Sequence, residues 1–165
     1  MSEQRISSFE EFWPYYLGEH RDATCRALHF LGTTAFFATF GLSIHASLQS
    51  ATPWFLYALG GMFVFGWVGF ALVEKARAAF LPMLLIIALG IAAPPHWYIF
   101  AGMIFAYAMA WIGHFKVEHN RPATFTYPLW SLLGDFRMWG VMATGRLWRG
   151  DSLEWLASRR PATNP

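Results

Sequence analysis

Apolar residues fill two long stretches of the chain and predict four membrane-spanning helices. Between residues 26 and 116, the formally charged side chains are confined to a short turn at 74–77. A helix needs about 20 apolar residues to cross the hydrocarbon core, so each flanking stretch is long enough for two spans. Breaks near 50–53 and 94–95, the latter a Pro-Pro pair, divide each stretch. The predicted spans are about 25–45, 54–73, 78–93 and 97–115.

Segments outside these spans combine aromatic and charged residues, which predicts amphipathic helices in the headgroup layer. The first, about 8–18, begins with the capping-box pair Ser8 and Glu11 and ends at Gly18. The second, about 128–148, is rich in Trp, Leu and Met but also carries charges. Within it, Asp135 near Arg137 suggests an interfacial ion pair.

The predicted fold is therefore all-α, an integral membrane bundle of four transmembrane helices with an interfacial helix at each end. Residues 1–150 are expected to form a single membrane-embedded domain. Residues 151–165 are expected to be a flexible tail. A polar break precedes the first span, where either Asp22 or Thr24 is a suitable N-cap.

Composition supports the membrane class and excludes others. Hydrophobic residues make up 56% of the chain, charged residues 13%, and the mean hydropathy is +0.33. The net charge is only +2, and the basic residues are too dispersed along the chain to form the contiguous basic face that nucleic-acid binding requires. The lone Cys25 excludes an intramolecular disulfide. The turns at 46–53 and 93–97 lack Lys and Arg, so the positive-inside rule places both termini in the cytoplasm.

Four histidines are predicted to lie at the cytoplasmic end of this bundle. Imidazoles gathered at one depth in a membrane protein favour binding of a metal such as iron or zinc. A single buried histidine is as easily explained by a hydrogen bond between helices. The candidate ligands are His20, His29, His114 and His119, whereas His45 and His96 fall at the opposite face and are assigned no ligand role.

Spacing adds conditions to this metal site. His20 and His29 are nine residues apart, so they can share a site only if the helix breaks between them, as the polar stretch at 18–22 allows. Glu118 follows His114 by four residues and is therefore on the same helical face, as a ligand or as an orienting acceptor. His119 would need the helix to unwind.

Two blocks that contain histidine carry a family resemblance. They read His20-Arg21 with His29-Phe30-x-Gly32-Thr33, and Gly113-His114-Phe115-x-x-Glu118-x-x-Arg121-Pro122-Ala123-Thr124. Over roughly residues 8–150 the chain resembles the yeast-type 2-hydroxy fatty acid dioxygenases, and the block at 127–135 is similar to a shorter bacterial branch. It departs at Asp22 and Cys25, where asparagine is expected, and at His119, where a non-ligand is usual.

The resemblance implies a multi-pass membrane enzyme that uses Fe²⁺ and dioxygen to shorten 2-hydroxy fatty acids by one carbon. By this resemblance, the metal ligands are His20, His29 and His114. Glu118 and Arg21 are the candidate catalytic residues, with Arg26 and Arg121 as other cations that could pair with the substrate carboxylate. Membrane lipid is an expected partner, and a bacterial inner membrane is favoured over the endoplasmic reticulum.

Three alternatives stay open. A haem-binding electron-transfer bundle would use His29 and His114 as axial ligands. A lipid-binding membrane protein would use no metal. The ligand types also suit zinc.

Overall fold

The computed structural model describes residues 6–49 and 97–159, in which every regular element is helical. The predicted spans 54–73 and 78–93, and His96, lie outside these residues. Between the third and fourth helices the chain forms a π-helical turn, Gly113–Glu118, and a 3₁₀ turn, Ala123–Phe125. The α-helices are α1 (Phe9–Gly18), α2 (Ala23–Leu48), α3 (Trp97–Ile112), α4 (Pro128–Ala143) and α5 (Ser152–Ala157).

The first helix begins and ends where the sequence predicts. The Ser8 hydroxyl accepts a hydrogen bond from the Glu11 backbone N–H at 3.2 Å, as expected for an N-cap. The Glu11 carboxylate accepts from the Ser7 N–H at 3.3 Å, so it closes the turn one residue earlier than the usual capping box. Gly18 is the last helical residue.

The second helix corresponds to the first predicted span. The Asp22 carboxylate accepts from the Thr24 N–H at 2.6 Å, which identifies Asp22 as the cap. α2 has 26 residues and, among the described helices, it alone is long and apolar enough to cross a membrane. The four-span bundle therefore stays a prediction beyond this helix. α3 starts at the residue predicted for the fourth span.

The chain divides into two compact units. One comprises Met1–Thr33 and Ala108–Pro165, and the other comprises Thr34–Tyr107. Within the second unit, α3 approaches α2 so closely at Gly102 that an added Cβ would overlap the Thr39 side chain. Small residues at such contacts allow the backbones of membrane helices to pack tightly. The single domain 1–150 stays a prediction.

The core of the first unit lies between α1 and α4. Buried positions on α4 recur every three or four residues, at Ser131, Gly134, Met138 and Met142, and so form one helical face. The apolar face of α1 is buried inside the protein, and its placement in the headgroup layer stays a prediction. Its buried residues are Phe12, Trp13, Tyr16 and Leu17.

The C-terminal region differs from the prediction at two points. α4 begins at Pro128 as predicted, because proline suits the first helical turn, but it ends at Ala143 and not near 148. The predicted flexible tail, 151–165, begins with α5, which Asp151 caps at the Leu153 N–H. The buried Ser152 hydroxyl donates to the Leu17 carbonyl at 2.6 Å and ties α5 to α1.

Candidate metal centre

Three of the four predicted ligands converge in the first unit. One ligand atom from each of His20, His29 and His114 lies within 4.8 Å of the other two. Three nitrogens that bind one ion at about 2.1 Å lie about 3–3.6 Å apart, so the group is somewhat wider than a closed site and could hold an ion if the rings move together. All three imidazoles are buried, with exposed fractions of 1%, 6% and 3%.

Local backbone geometry explains how histidines nine residues apart meet. His20 lies in the break between α1 and α2, where its N–H donates to the Leu17 carbonyl at 3.1 Å. His29 lies in the second turn of α2. The break between α1 and α2 is the one that the nine-residue spacing of these two histidines required. The His20 and His29 rings are 4.5 Å apart between centroids.

His114 is carried by the π-helical turn, a wider i→i+5 winding that often occurs at functional sites. The turn ends at His119, whose positive φ of 54° redirects the chain. The His114 carbonyl accepts from the Asn120 N–H at 3.1 Å, which brings the Asn120 side chain back to the His114 ring.

Each imidazole has an acceptor for its Nδ1–H group. His20 donates to the Tyr16 backbone carbonyl at 2.7 Å. His29 donates to Asp135 Oδ1 at 2.7 Å, and His114 donates to Asn120 Oδ1 at 2.7 Å. The Asn120 amide is itself oriented, because its NH₂ group donates to the carbonyl and the carboxylate of Glu19. In the neutral form of each ring these acceptors favour the proton on Nδ1, which leaves Nε2 as the lone-pair donor.

The unsatisfied Nε2 atoms fit a metal ion. Nε2 of His20 and Nε2 of His29 are buried and have no hydrogen-bond partner among the described residues. Leaving such an atom buried and unpaired costs about 1–3 kcal/mol. A divalent ion would satisfy both atoms, and three neutral imidazoles are a donor set that iron and zinc both accept.

Burial also affects the protonation of His20 and Tyr16. It lowers the pKa of His20 well below its usual value, and the neighbouring His29 and His114 lower the His20 pKa further. His20 is therefore neutral near pH 7, the form that binds metal. Burial raises the pKa of Tyr16, and the adjacent Asp135 carboxylate raises it further, so the Tyr16 hydroxyl keeps its proton.

The other predicted site residues are not part of this group of ligand atoms. His119 is exposed, and its N–H caps the π-helical turn at the His114 carbonyl. The Glu118 carboxylate accepts from the Asp22 N–H at 2.7 Å. Among the described residues, the group of potential ligands consists of the three histidines and does not include Glu118.

The candidate cations have partners in this structure. Arg21 is exposed and pairs with Asp151 at 2.6 Å. Arg26 is fully buried and donates to backbone carbonyls, including those of His20 and Leu147. Arg121 lies over the Phe125 ring at 4.8 Å.

Sequence reasoning missed the residues that orient the imidazoles. We expected Asp135 to pair with Arg137, but the Asp135 carboxylate instead accepts from Tyr16 and His29, while Arg137 lies over Trp13 at 4.4 Å. No spacing rule could have connected Asp135 with His29, since 106 residues separate them.

Gly134 leaves the space that the Tyr16 ring fills. A Cβ at this position would lie 2.7 Å from Tyr16 Cδ2, whereas a Cβ at Gly140, in the same helix, would meet no atom within 4 Å. We expect Gly134→Ala to destabilise the protein by about 1–3 kcal/mol through overpacking. Gly140→Ala should stabilise it by about 0.5–1 kcal/mol, because alanine is the better helix former. Thermal unfolding of both variants in detergent checks this; equal effects would contradict the packing argument.

Comparison with protein families agrees with the chemistry of this centre. A family model described as 2-hydroxy-palmitic acid dioxygenase Mpo1-like matches residues 6–86 and 80–147. The two matches cover most of the chain and include His20, His29 and His114. No curated protein and no solved structure matches the chain. The family resemblance noted in the sequence is thus confirmed, and the chain belongs to the Mpo1-like 2-hydroxy-palmitic acid dioxygenase family.

Proposed function

We propose that this protein is an iron(II)-dependent membrane dioxygenase that shortens 2-hydroxy fatty acids by one carbon. The observation that carries the proposal is the convergence of three buried imidazoles, each with Nδ1 hydrogen-bonded, of which His20 and His29 have a buried Nε2 without a partner. The family supports the reaction class and the 2-hydroxy acid as substrate. The reaction balances when one O₂ and one 2-hydroxy acid give the shorter acid, CO₂ and water.

In this proposal His20, His29 and His114 hold the ion. When bound, iron(II) would supply the dioxygen chemistry that amino-acid side chains lack, at positions that three protein ligands leave open. Asp135 and Asn120 orient two of the rings, and the Tyr16 carbonyl orients the third. Burial of the three rings excludes water from the ligand side of the site.

The two predicted catalytic residues, Arg21 and Glu118, are proposed to act on the substrate and not on the ion. Arg21 follows His20 in sequence and its guanidinium is exposed, so it is our candidate for pairing with the substrate carboxylate in place of Asp151. Glu118 is our candidate proton acceptor at the same end of the unit, where it holds the start of α2 through Asp22. His119, exposed and in the left-handed region, is left out of the proposed ligand set.

The same cluster argues against haem. Axial ligands of a haem lie on opposite faces of the macrocycle, so a third imidazole with its ligand atom within 4.8 Å of both would occupy the porphyrin itself. The three-histidine arrangement therefore favours a non-haem ion. An intense visible absorption band in the purified protein would contradict this.

Oxygen uptake by iron-loaded protein tests the proposal. Protein purified without chelator is analysed for metals, reconstituted anaerobically with Fe²⁺, and given 2-hydroxy acids of increasing chain length. We expect uptake that depends on the 2-hydroxy acid, with one CO₂ released per O₂ consumed. The matched 3-hydroxy and unsubstituted acids are the controls. Tight zinc binding without any substrate-dependent uptake would overturn the proposal.

A further inference from the structure

Tyr16 contacts two of the three ligand histidines through different groups. Its backbone carbonyl accepts from His20 Nδ1 at 2.7 Å. Its hydroxyl donates to Asp135 Oδ1 at 2.6 Å, and this same oxygen accepts from His29 Nδ1 at 2.7 Å. One residue of α1 thus links a ligand that precedes α2 to a ligand within α2.

The Tyr16 ring is held in place on several sides. It is 1% exposed, it stacks on the His20 ring at 4.1 Å between centroids, and it lies parallel to the Trp13 ring at 5.9 Å. On α4, Gly134 leaves room for the ring, since any Cβ there would overlap it. The hydroxyl therefore reaches Asp135 from a fixed position.

Three groups orient the imidazoles: the Tyr16 carbonyl, the Asn120 amide and the Asp135 carboxylate. Of these, the Asp135 carboxylate depends most on an additional hydrogen bond, the one from the Tyr16 hydroxyl. The Tyr16 carbonyl belongs to the backbone, and the Asn120 amide is tied to Glu19 by two hydrogen bonds. The Asp135 side chain is 25% exposed, and among the described residues its hydrogen-bond contacts are Tyr16 and His29. Without the phenol, rotation of this carboxylate would release His29.

We propose that Tyr16 is a positioning residue for the metal centre, which fixes His29 through Asp135 while its carbonyl fixes His20. The inference rests on the proposed metal-binding function. Removing an outer-shell partner of a metal ligand typically weakens metal binding about 10–100-fold. Because Tyr16→Phe removes only the hydroxyl, and keeps the ring and the carbonyl, we expect about a tenfold loss of affinity.

Co²⁺ titration of the purified full-length protein in detergent tests this assignment. Tyr16→Phe should weaken Co²⁺ binding about tenfold and shift the visible Co²⁺ spectrum, which reports ligand geometry. The control is Tyr15→Phe, the next residue on α1, whose ring packs on Phe12 and Tyr127. It should change neither the affinity nor the spectrum. An unchanged affinity and spectrum in Tyr16→Phe would overturn the inference.

A double-mutant cycle with Asp135→Ala identifies the route of the effect. If Tyr16 acts through Asp135, the double variant should bind Co²⁺ no more weakly than Asp135→Ala alone. Additive losses would contradict the positioning role. Wild-type protein that binds no Co²⁺, Fe²⁺ or Zn²⁺ would remove the proposed function and this inference with it. Metal binding that does not respond to Tyr16 would remove the inference alone.

Discussion

Alanine at His20, His29 or His114 should each abolish stoichiometric iron binding and substrate-dependent oxygen uptake. Each substitution removes one of three convergent ligands, so the loss of affinity should exceed the roughly 10–100-fold that follows removal of an outer-shell partner. The three losses should not add, because the ligands act as one site. Iron content after desalting and oxygen uptake measure the effect.

Controls for this prediction come from the same chain. His119→Asn keeps a residue that tolerates the left-handed conformation at φ 54°, and it should keep iron. His45→Ala changes an exposed histidine of α2 outside the cluster and should also keep iron. Glutamine substitutions at the three ligand positions preserve side-chain volume and separate ligand loss from misfolding. Equal iron content in all of these variants would contradict the assigned site.

The second large effect concerns stability. Arg26 is fully buried and donates to four backbone carbonyls, those of His20, Arg21, Leu147 and Gly150. Leu147 and Gly150 have positive φ values of 60° and 70°, which turn the segment after α4 toward the guanidinium. The planar guanidinium thus joins the break before α2 to the segment that leads into α5.

We expect Arg26→Met to destabilise the protein by at least about 3 kcal/mol, because a buried carbonyl left without a donor costs about 1–3 kcal/mol. Arg26→Lys should recover only part of this, since an ammonium lacks the planar fork. Arg149→Met, at an exposed position, is the matched control and should stay within about 0.5 kcal/mol of wild type. Thermal unfolding and limited proteolysis near residues 146–159 measure the effect. Equal stability of the two Met variants would refute the role of Arg26.

Arg26→Met should also weaken metal binding, through the backbone of a ligand and not through a ligand side chain. The Arg26 guanidinium contacts the His20 carbonyl, so its loss frees the backbone that presents the first ligand. Iron binding at low temperature, where the variant is still folded, should therefore weaken without disappearing.

The sequence by itself determined the helical class, the N-cap of α1 at Ser8, a cap for α2 at Asp22 or Thr24, and four candidate histidines that include the three that meet. These features depend on local chemistry, namely capping hydrogen bonds, apolar run length and a polar break between His20 and His29. Local patterns extend over a few residues and so can be read directly from the chain. The family was also recognisable from the blocks around these histidines.

Only the tertiary structure decided which residues support the ligands. Asp135 reaches His29 across 106 residues, and Ser152 reaches Leu17 across 135, so no periodicity links either pair. Glu118 lies outside the histidine group, and its carboxylate instead accepts from the Asp22 N–H, 96 residues away in sequence. The structure likewise shows that the buried Arg26 guanidinium donates to backbone carbonyls and is not free to pair with a substrate. Residue types set the chemistry that is possible, but packing sets which groups lose water and must therefore find a partner.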